Sequence, residues 1–291
     1  MMASQKFDEK TMQSILQAEK DEISEYYIYE KLAKATKDPH NKEVLQHISE
    51  EELEHYNFWK KYSERDLKPS RWKLWKYYLI SRMFGLTFGI KLMERGERNA
   101  QEFYNEIASV IPEAKEILQD EEEHENALIA MLNEEKLQYV GSIVLGLNDA
   151  LVEITGALAG FTMSLQNTKL IAVTGLITGI AASLSMASSE YLSTKSEGGK
   201  RPGRSSLYTG VAYFLTVLLL VFPFFSFNNY YFCLGFTLFN GIFIIFIFNY
   251  YISVTKEIPF RKRFFEMACV SLGIAALTFS IGILVRVFFH I

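Results

Sequence analysis

The sequence predicts an all-α protein, with a soluble four-helix bundle in residues 1–136 and a five-helix membrane domain in residues 137–291. Charged residues are frequent in the first part and rare in the second, where long apolar runs follow one another. Prolines and glycines are few between residues 8 and 136, so long helices can continue there. These patterns predict helices throughout and place the boundary near residue 136.

The net charge of −4 combines two opposite contributions. From Tyr139 to the end, 10 Lys and Arg stand against 6 Asp and Glu, while the preceding residues have 20 against 28. The net negative charge of the soluble part argues against nucleic-acid binding. The opening residues, MMASQKFDEK, lack the apolar core of a signal peptide, so we expect the N-terminus in the cytoplasm.

Four apolar stretches predict five membrane spans. Residues 137–168 carry only Asp149 and Glu153 as charges, and residues 170–189 and 267–285 carry none. Residues 205–255 are also uncharged, are too long for one span and divide near FPFFSFNNYY. Basic residues cluster between spans two and three and between spans four and five. The positive-inside rule therefore places both loops and the N-terminal domain in the cytoplasm and the C-terminus on the opposite side.

Two pairs in the first two spans are candidates for an ion path. Asp149 and Glu153 are four residues apart and share a helix face, and acids in a membrane span usually line an ion or proton pathway. The alternative is that both lie near a helix end and reach water. Met186 and Glu190 repeat the spacing, and a thioether beside a carboxylate suits a first-row divalent metal.

The stretches GLNDALVEITGALAG and SLSMASSEYLSTKSE resemble the first two spans of the vacuolar iron transporter family. The resemblance implies a homodimer that exchanges Fe²⁺ or Mn²⁺ for protons, with Asp149 and Met186 on the metal path and Glu153 and Glu190 as weaker assignments. Plant members insert a Glu-rich metal-binding domain between spans two and three. The corresponding loop here is the short basic TKSEGGKRPGRSS, so another segment must collect the metal.

The soluble part contains a weak internal repeat. Four predicted helices cover about residues 7–36, 39–64, a segment ending near 110, and 112–136. The first and third carry a Glu followed seven residues on by Tyr, and the second and fourth carry Glu-x-x-His. One Glu from each of two helices and a Glu-x-x-His pair from each of the others form the ligand set of dinuclear carboxylate bundles. The predicted ligands are Glu19, Glu52, His55, Glu97, Glu121 and His124.

This arrangement resembles rubrerythrin-like members of the ferritin superfamily over nearly all of residues 8–136. Glu22 can replace Glu19, and Glu94 can join or replace Glu97, because each lies one turn from its alternative. The resemblance implies dinuclear iron or Mn²⁺, and the same nitrogen and oxygen ligands accept Zn²⁺ in vitro. Residues 1–136 contain no Cys-x-x-Cys motif that could hold a rubredoxin-type iron centre.

The stretch from Arg71 to Met93 is apolar but is interrupted by Lys73, Lys76, Arg82 and Lys91. Its Trp, Tyr and Lys content suits a helix on the cytoplasmic membrane surface. The alternative is a dimer surface at the start of the third helix. A sixth span is not expected, because Arg82 would lie at its centre.

The two parts together resemble membrane-bound ferritins. This resemblance implies proton-coupled export of Fe²⁺ or Mn²⁺, with the bundle capturing or sensing the ion. The alternative is a membrane-anchored ferroxidase or peroxidase of the rubrerythrin type, so enzymatic activity stays open and no catalytic residue is assigned. The expected partners are divalent metal ions, protons, the lipid bilayer and a second copy of the chain.

Overall fold

The computed structural model describes residues 7–98, 111–115, 117, 139–199 and 201–289. The chain divides into two compact units, Met1–Glu134 and Glu135–Ile291. Regular structure in the described residues is helical throughout, which confirms the all-α prediction.

The N-terminal unit begins with two long helices, α1 (Glu9–Ala35) and α2 (Pro39–Ser63), which pack along each other. Asp8 caps α1 by accepting a hydrogen bond from the main-chain N–H of Thr11 at 2.8 Å. Asp38 caps α2 in the same way, and Pro39 occupies the first turn of that helix. Both helices agree with the predicted limits to within about two residues.

A glycine divides the next segment into α3 (Arg71–Phe84) and α4 (Leu86–Arg98). Gly85 has φ of 105° and ψ of 157°, a backbone conformation that residues other than glycine rarely adopt. The sequence left open whether Arg71–Met93 is a separate surface helix or the start of the third bundle helix, and in the structure this stretch divides into two helices at Gly85. The buried core here joins α1, α2, α3 and α4 through Ile28, Leu32, Leu45, Ile48, Tyr77, Ile90 and Met93.

The predicted fourth bundle helix, at 112–136, falls outside the described residues except at 112–115 and 117. The continuation of the third helix beyond Arg98 also lies outside them. The four-helix bundle therefore stays a prediction.

The second unit contains α5 (Val140–Leu165), α6 (Thr168–Ser196), α7 (Pro202–Ser226), α8 (Tyr230–Thr255) and α9 (Phe260–Phe289). All five are long and apolar enough to cross a bilayer, which confirms the five predicted spans. The chain is an integral membrane protein.

Helix α5 packs against each of the other four helices of this unit. Thr278 on α9 donates a 2.6 Å hydrogen bond to the main-chain oxygen of Gly156, and Ser271 donates one of 2.9 Å to that of Leu151. A methyl group at Gly160 would lie 3.2 Å from the oxygen of Thr278, so a small residue is needed at this crossing. The first and last spans are thus in direct contact, with α5 at the centre.

Candidate metal-binding sites

Three of the predicted ligands converge between α1 and α2. Glu22, Glu52 and His55 each offer a ligand atom, and the three atoms lie within 4.8 Å of one another. Within the described ranges, this is the one such group of three or more His, Cys, Asp or Glu side chains. The Glu-x-x-His spacing produces half of it, since Glu52 and His55 lie one turn apart on the inner face of α2.

The geometry of this group suits a divalent metal ion. Nδ1 of His55 lies 3.9 Å from Oε2 of Glu22. Two ligand atoms that bind one ion at about 2.1 Å lie about 3 to 3.5 Å apart, so a small closing movement would bring them into place. Carboxylates and an imidazole are ligands that Fe²⁺, Mn²⁺ and Zn²⁺ all accept.

The group is removed from solvent and held by neighbouring donors. Glu22 is 4% exposed, Glu52 6% and His55 9%. Nε1 of Trp59, one turn after His55, donates a 3.1 Å hydrogen bond to Oε1 of Glu22 and so orients that carboxylate. Burying two carboxylates together is costly, and a bound cation would offset that cost.

Glu19 lies one turn before Glu22 and is fully buried. Its Oε1 accepts a hydrogen bond of 3.4 Å from the main-chain N–H of Leu67, in the segment between α2 and α3. It does not belong to the three-residue group, so of the two alternatives on α1 the structure brings Glu22 to Glu52 and His55. Glu25, which was not among the predicted ligands, is also buried. It continues the three-residue spacing of Glu19 and Glu22 along α1.

The side chains of the other predicted ligands lie outside the described part of the chain. Glu121 and His124 lie outside the described residues. Glu94 and Glu97 fall within α4, but their side chains are outside the described part. The second half of the predicted dinuclear site therefore remains a prediction.

In the membrane unit, four residues share one face of α5: Ser142, Gly146, Asp149 and Glu153. Asp149 is half-buried and Glu153 is exposed. Glu153 is the 14th of the 26 residues of α5, about 20 Å from its start, so it lies near the middle of the span and not at its end. Asp149 lies one turn closer to the N-terminal end.

A tyrosine on the third span donates a hydrogen bond to Glu153. The hydroxyl group of Tyr213 on α7 donates a 2.6 Å hydrogen bond to Oε2 of Glu153. Tyr213 itself is fully buried. Tyr213 carries no sequence signal for this role, because it lies 60 residues after Glu153 in the chain and on a different helix.

A serine on the first span binds the acid of the second. Oγ of Ser142 donates a 2.7 Å hydrogen bond to Oε1 of Glu190 on α6, and Thr194 donates to the same oxygen at 3.4 Å. The main-chain oxygen of Ser142 accepts a 3.0 Å hydrogen bond from Thr209 on α7. Ser142 therefore connects the first three spans. It lies seven residues before Asp149, a heptad spacing that was its sequence signal.

Met186 is half-buried and lies one turn before Glu190, packed against the core of the unit. The side chains of Asp149, Glu153 and Glu190 do not form a metal-sized group within the described part of this single chain. The face is a row of polar groups along α5, with one acid from α6 bound to it.

Comparison with known proteins points to the same helices. The model of the VIT family matches residues 140–200, which cover α5 and α6. The match and the five apolar helices support a membrane domain of the VIT type, and they indicate a metal transporter similar to vacuolar iron transporters. No curated protein and no solved structure matches the chain.

Proposed function

We propose that the protein exports Fe²⁺, Mn²⁺ or both from the cytoplasm in exchange for protons. The observation that carries this proposal is the polar face of α5, where Asp149 and Glu153 lie within an apolar span and Ser142 binds Glu190 of α6. The region matched by the VIT family includes all these residues and Met186. Carboxylates that release protons when they bind a metal couple the two ions directly.

The N-terminal unit captures or senses the ion before transport. Glu22, Glu52 and His55 offer three buried nitrogen and oxygen ligands within reach of one ion. The loop between α6 and α7, 197–201, contains one acid and is too short to hold a collecting domain. The N-terminal unit, whose resemblance is to rubrerythrin-type ferritins, supplies that function.

The transporter acts as a homodimer with its N-terminal unit in the cytoplasm. The exposed Glu153 would be costly against hydrocarbon, and a second copy placed over this face of α5 removes it from lipid. The basic residues between α6 and α7 and between α8 and α9 favour a cytoplasmic position for these loops.

The test is Fe²⁺ and Mn²⁺ flux into or out of proteoliposomes that contain the full chain, under an imposed pH gradient. Asp149→Asn and Met186→Leu should each reduce flux by at least about tenfold, since each removes a ligand with little change in volume. Glu266→Gln, an exposed acid on α9, and Met163→Leu, a buried methionine on α5, are the matched controls and should retain flux. Unchanged flux in Asp149→Asn and Met186→Leu would refute the path, and flux that ignores the pH gradient would refute proton coupling.

A second candidate function rests on the Glu22, Glu52 and His55 group, whose ligands also suit an iron-oxidising centre. In that case the full chain would oxidise Fe²⁺ with O₂ or peroxide, and the membrane unit would serve as an anchor. Rapid oxidation that disappears in His55→Ala, together with no metal flux by the unaltered chain, would favour this enzyme. In a sensing role, metal bound to the Glu22, Glu52 and His55 group would regulate transport. Flux that persists in His55→Ala but has lost this regulation would favour that role.

A further inference from the structure

Helix α3 exposes a continuous apolar stripe. Trp72, Trp75, Leu79 and Met83 lie at intervals of three or four residues and therefore on one side of the helix. Their exposed fractions are 77%, 61%, 56% and 62%, which is unusual for two tryptophans and two large aliphatic side chains on one short helix.

The opposite side of α3 is already packed within the N-terminal unit. Tyr77 is buried in the core that joins α1 to α4, and Leu74 and Tyr78 lie against that core. Lys73 forms an ion pair with Asp21 of α1. The exposed stripe is therefore a surface of a helix whose position is set by other contacts.

Basic side chains flank the stripe. Lys76 lies beside it on one edge, and Arg71 and Arg82 on the other, and all three are exposed. Lys31 of α1 lies over the ring of Trp75, with Nζ 3.5 Å from the ring centre. Residues 67–93 contain six Lys and Arg and no Asp or Glu, although the chain before Tyr139 has a net charge of −8.

We infer that this face of α3 docks on an anionic lipid surface. Tryptophans and aliphatic side chains between rows of Lys and Arg match the interface of a bilayer, where rings enter the headgroup layer and cations meet lipid phosphates. The helix has 14 residues and ends at Gly85, too few to span a bilayer, so it lies along the surface. The same chain carries five helices that are long and apolar enough to span a bilayer.

The charge of the face favours lipid over a second copy of the chain. A two-fold interface places the same patch of each copy against the other. Here that would bring the rows of Arg71, Lys76 and Arg82 from both copies together, with no acid in residues 67–93 to neutralise them. An anionic leaflet supplies the opposite charge.

The position of the tryptophans makes a direct test possible. The chain contains three tryptophans, Trp59, Trp72 and Trp75, and none lies in the five spans. The full chain would be placed in nanodiscs of phosphatidylcholine and phosphatidylglycerol, with or without bromine on the upper acyl chain. Bromine should reduce the emission by about half, because two of the three indoles lie at the lipid surface. In the Trp72→Phe, Trp75→Phe double variant only the buried Trp59 remains, and the reduction should be slight.

Charge variants test whether the basic residues of α3 bind anionic lipid, as docking requires, or whether the helix is merely near the bilayer. Arg71→Gln, Lys76→Gln and Arg82→Gln together should weaken the quenching at least about twofold, and more in phosphatidylglycerol than in pure phosphatidylcholine. The matched control removes three exposed charges elsewhere in the unit, Lys37→Gln, Lys42→Gln and Lys61→Gln, and should not change it. Emission that bromine leaves unchanged and aqueous acrylamide quenches would overturn the proposal. Indoles shielded from both quenchers would also overturn it, in favour of a covering protein.

Discussion

The hydroxyl group of Tyr213 donates a 2.6 Å hydrogen bond to Oε2 of Glu153, and this contact joins the third span to the middle of the first. The acid is exposed and the tyrosine is fully buried, so the hydrogen bond reaches from the core of the unit to its surface. A neutral donor of this kind lets Glu153 face a metal ion or a proton without a competing positive charge.

Tyr213→Phe should therefore reduce transport without unfolding the membrane unit. It removes a hydrogen bond to a charged group, which contributes about 1.5 to 3 kcal/mol, and flux should fall by at least about tenfold. Glu153→Gln should reduce it further, because it removes the charge as well. Tyr208→Phe, on the same helix, is the control. Equal flux in Tyr213→Phe and the unaltered chain would show that the hydrogen bond plays no part in transport.

Ser142→Ala should weaken the affinity of transport for the metal. Its Oγ donates to Glu190, and without it that carboxylate has lost its contact with the first span. The metal concentration for half-maximal flux should rise several-fold, with a smaller change in maximal rate. Ser188→Ala is the matched control, since Oγ of Ser188 donates to the main-chain oxygen of Leu184 on its own helix. A change in maximal rate alone would contradict this role.

His55→Ala should reduce metal binding by the full chain in detergent. It removes the imidazole from the Glu22, Glu52 and His55 group, and the loss of one ligand should lower the affinity at least about tenfold. Elemental analysis after dialysis against Fe²⁺, Mn²⁺ or Zn²⁺ measures the bound ion. His47→Ala is the control on the same helix, because its side chain is 65% exposed and its Nε2 lies 3.3 Å from Oε1 of Glu51, outside the Glu22, Glu52 and His55 group. Equal losses in both variants would exclude a specific site.

Asp66, in the segment after α2, should stabilise the N-terminal unit at neutral pH and lose this effect at low pH. Hydrogen bonds from Lys60 and then Tyr56 lower the pKa of Asp66 below its ordinary value of 3.8. A lowered pKa in the folded state gives stability that is present above 3.8 and lost as pH falls through the lower folded value. Asp66→Asn should therefore lower the thermal midpoint near neutral pH and leave it unchanged in strong acid.

Thermal unfolding followed by tryptophan emission measures this effect in the N-terminal unit alone, since all three tryptophans precede the spans. Glu43→Gln, an exposed acid on α2, is the control. The difference should shrink in high salt, because Asp66 is exposed and its charge is screened. A midpoint difference that grows towards low pH would have the wrong sign.

Gly85→Ala should destabilise the N-terminal unit. A φ of 105° with ψ of 157° is a conformation for which a Cβ atom costs about 1 to 3 kcal/mol. The thermal midpoint of the full chain, followed by tryptophan emission, should fall. Gly141→Ala in the first turn of α5, where a Cβ atom meets nothing within 4 Å, should leave the N-terminal midpoint unchanged.

Long apolar runs were enough to predict the membrane unit. Each of the five spans follows from local composition, and their limits differ from the predicted ones by only a few residues except where polar ends extend α6 and α9. Glycine at position 85 was visible too, but helix propensity treats a glycine as a modest cost. Only the packing of α3 and α4 on α1 and α2 turns it into a break.

The candidate sites divide in the same way. Glu52 and His55 were predictable because both lie on one helix at a fixed spacing, and Asp149 and Glu153 for the same reason. The choice of Glu22 over Glu19, and the partners Trp59 and Tyr213, depend on how separate helices are rotated about their axes. That rotation follows from tertiary packing, which spacing along the chain does not encode.

The contact between α5 and α9 has a consequence for how the membrane unit is made. Synthesis delivers α5 to the bilayer first and α9 last, yet Ser271 and Thr278 of α9 donate to the main chain of α5. The main-chain oxygens of Leu151 and Gly156 on the first span therefore lack these hydrogen bonds until the final helix is inserted. A chain that stops before Phe260 would hold four inserted helices around an unfinished centre, which makes it a natural substrate for membrane quality control.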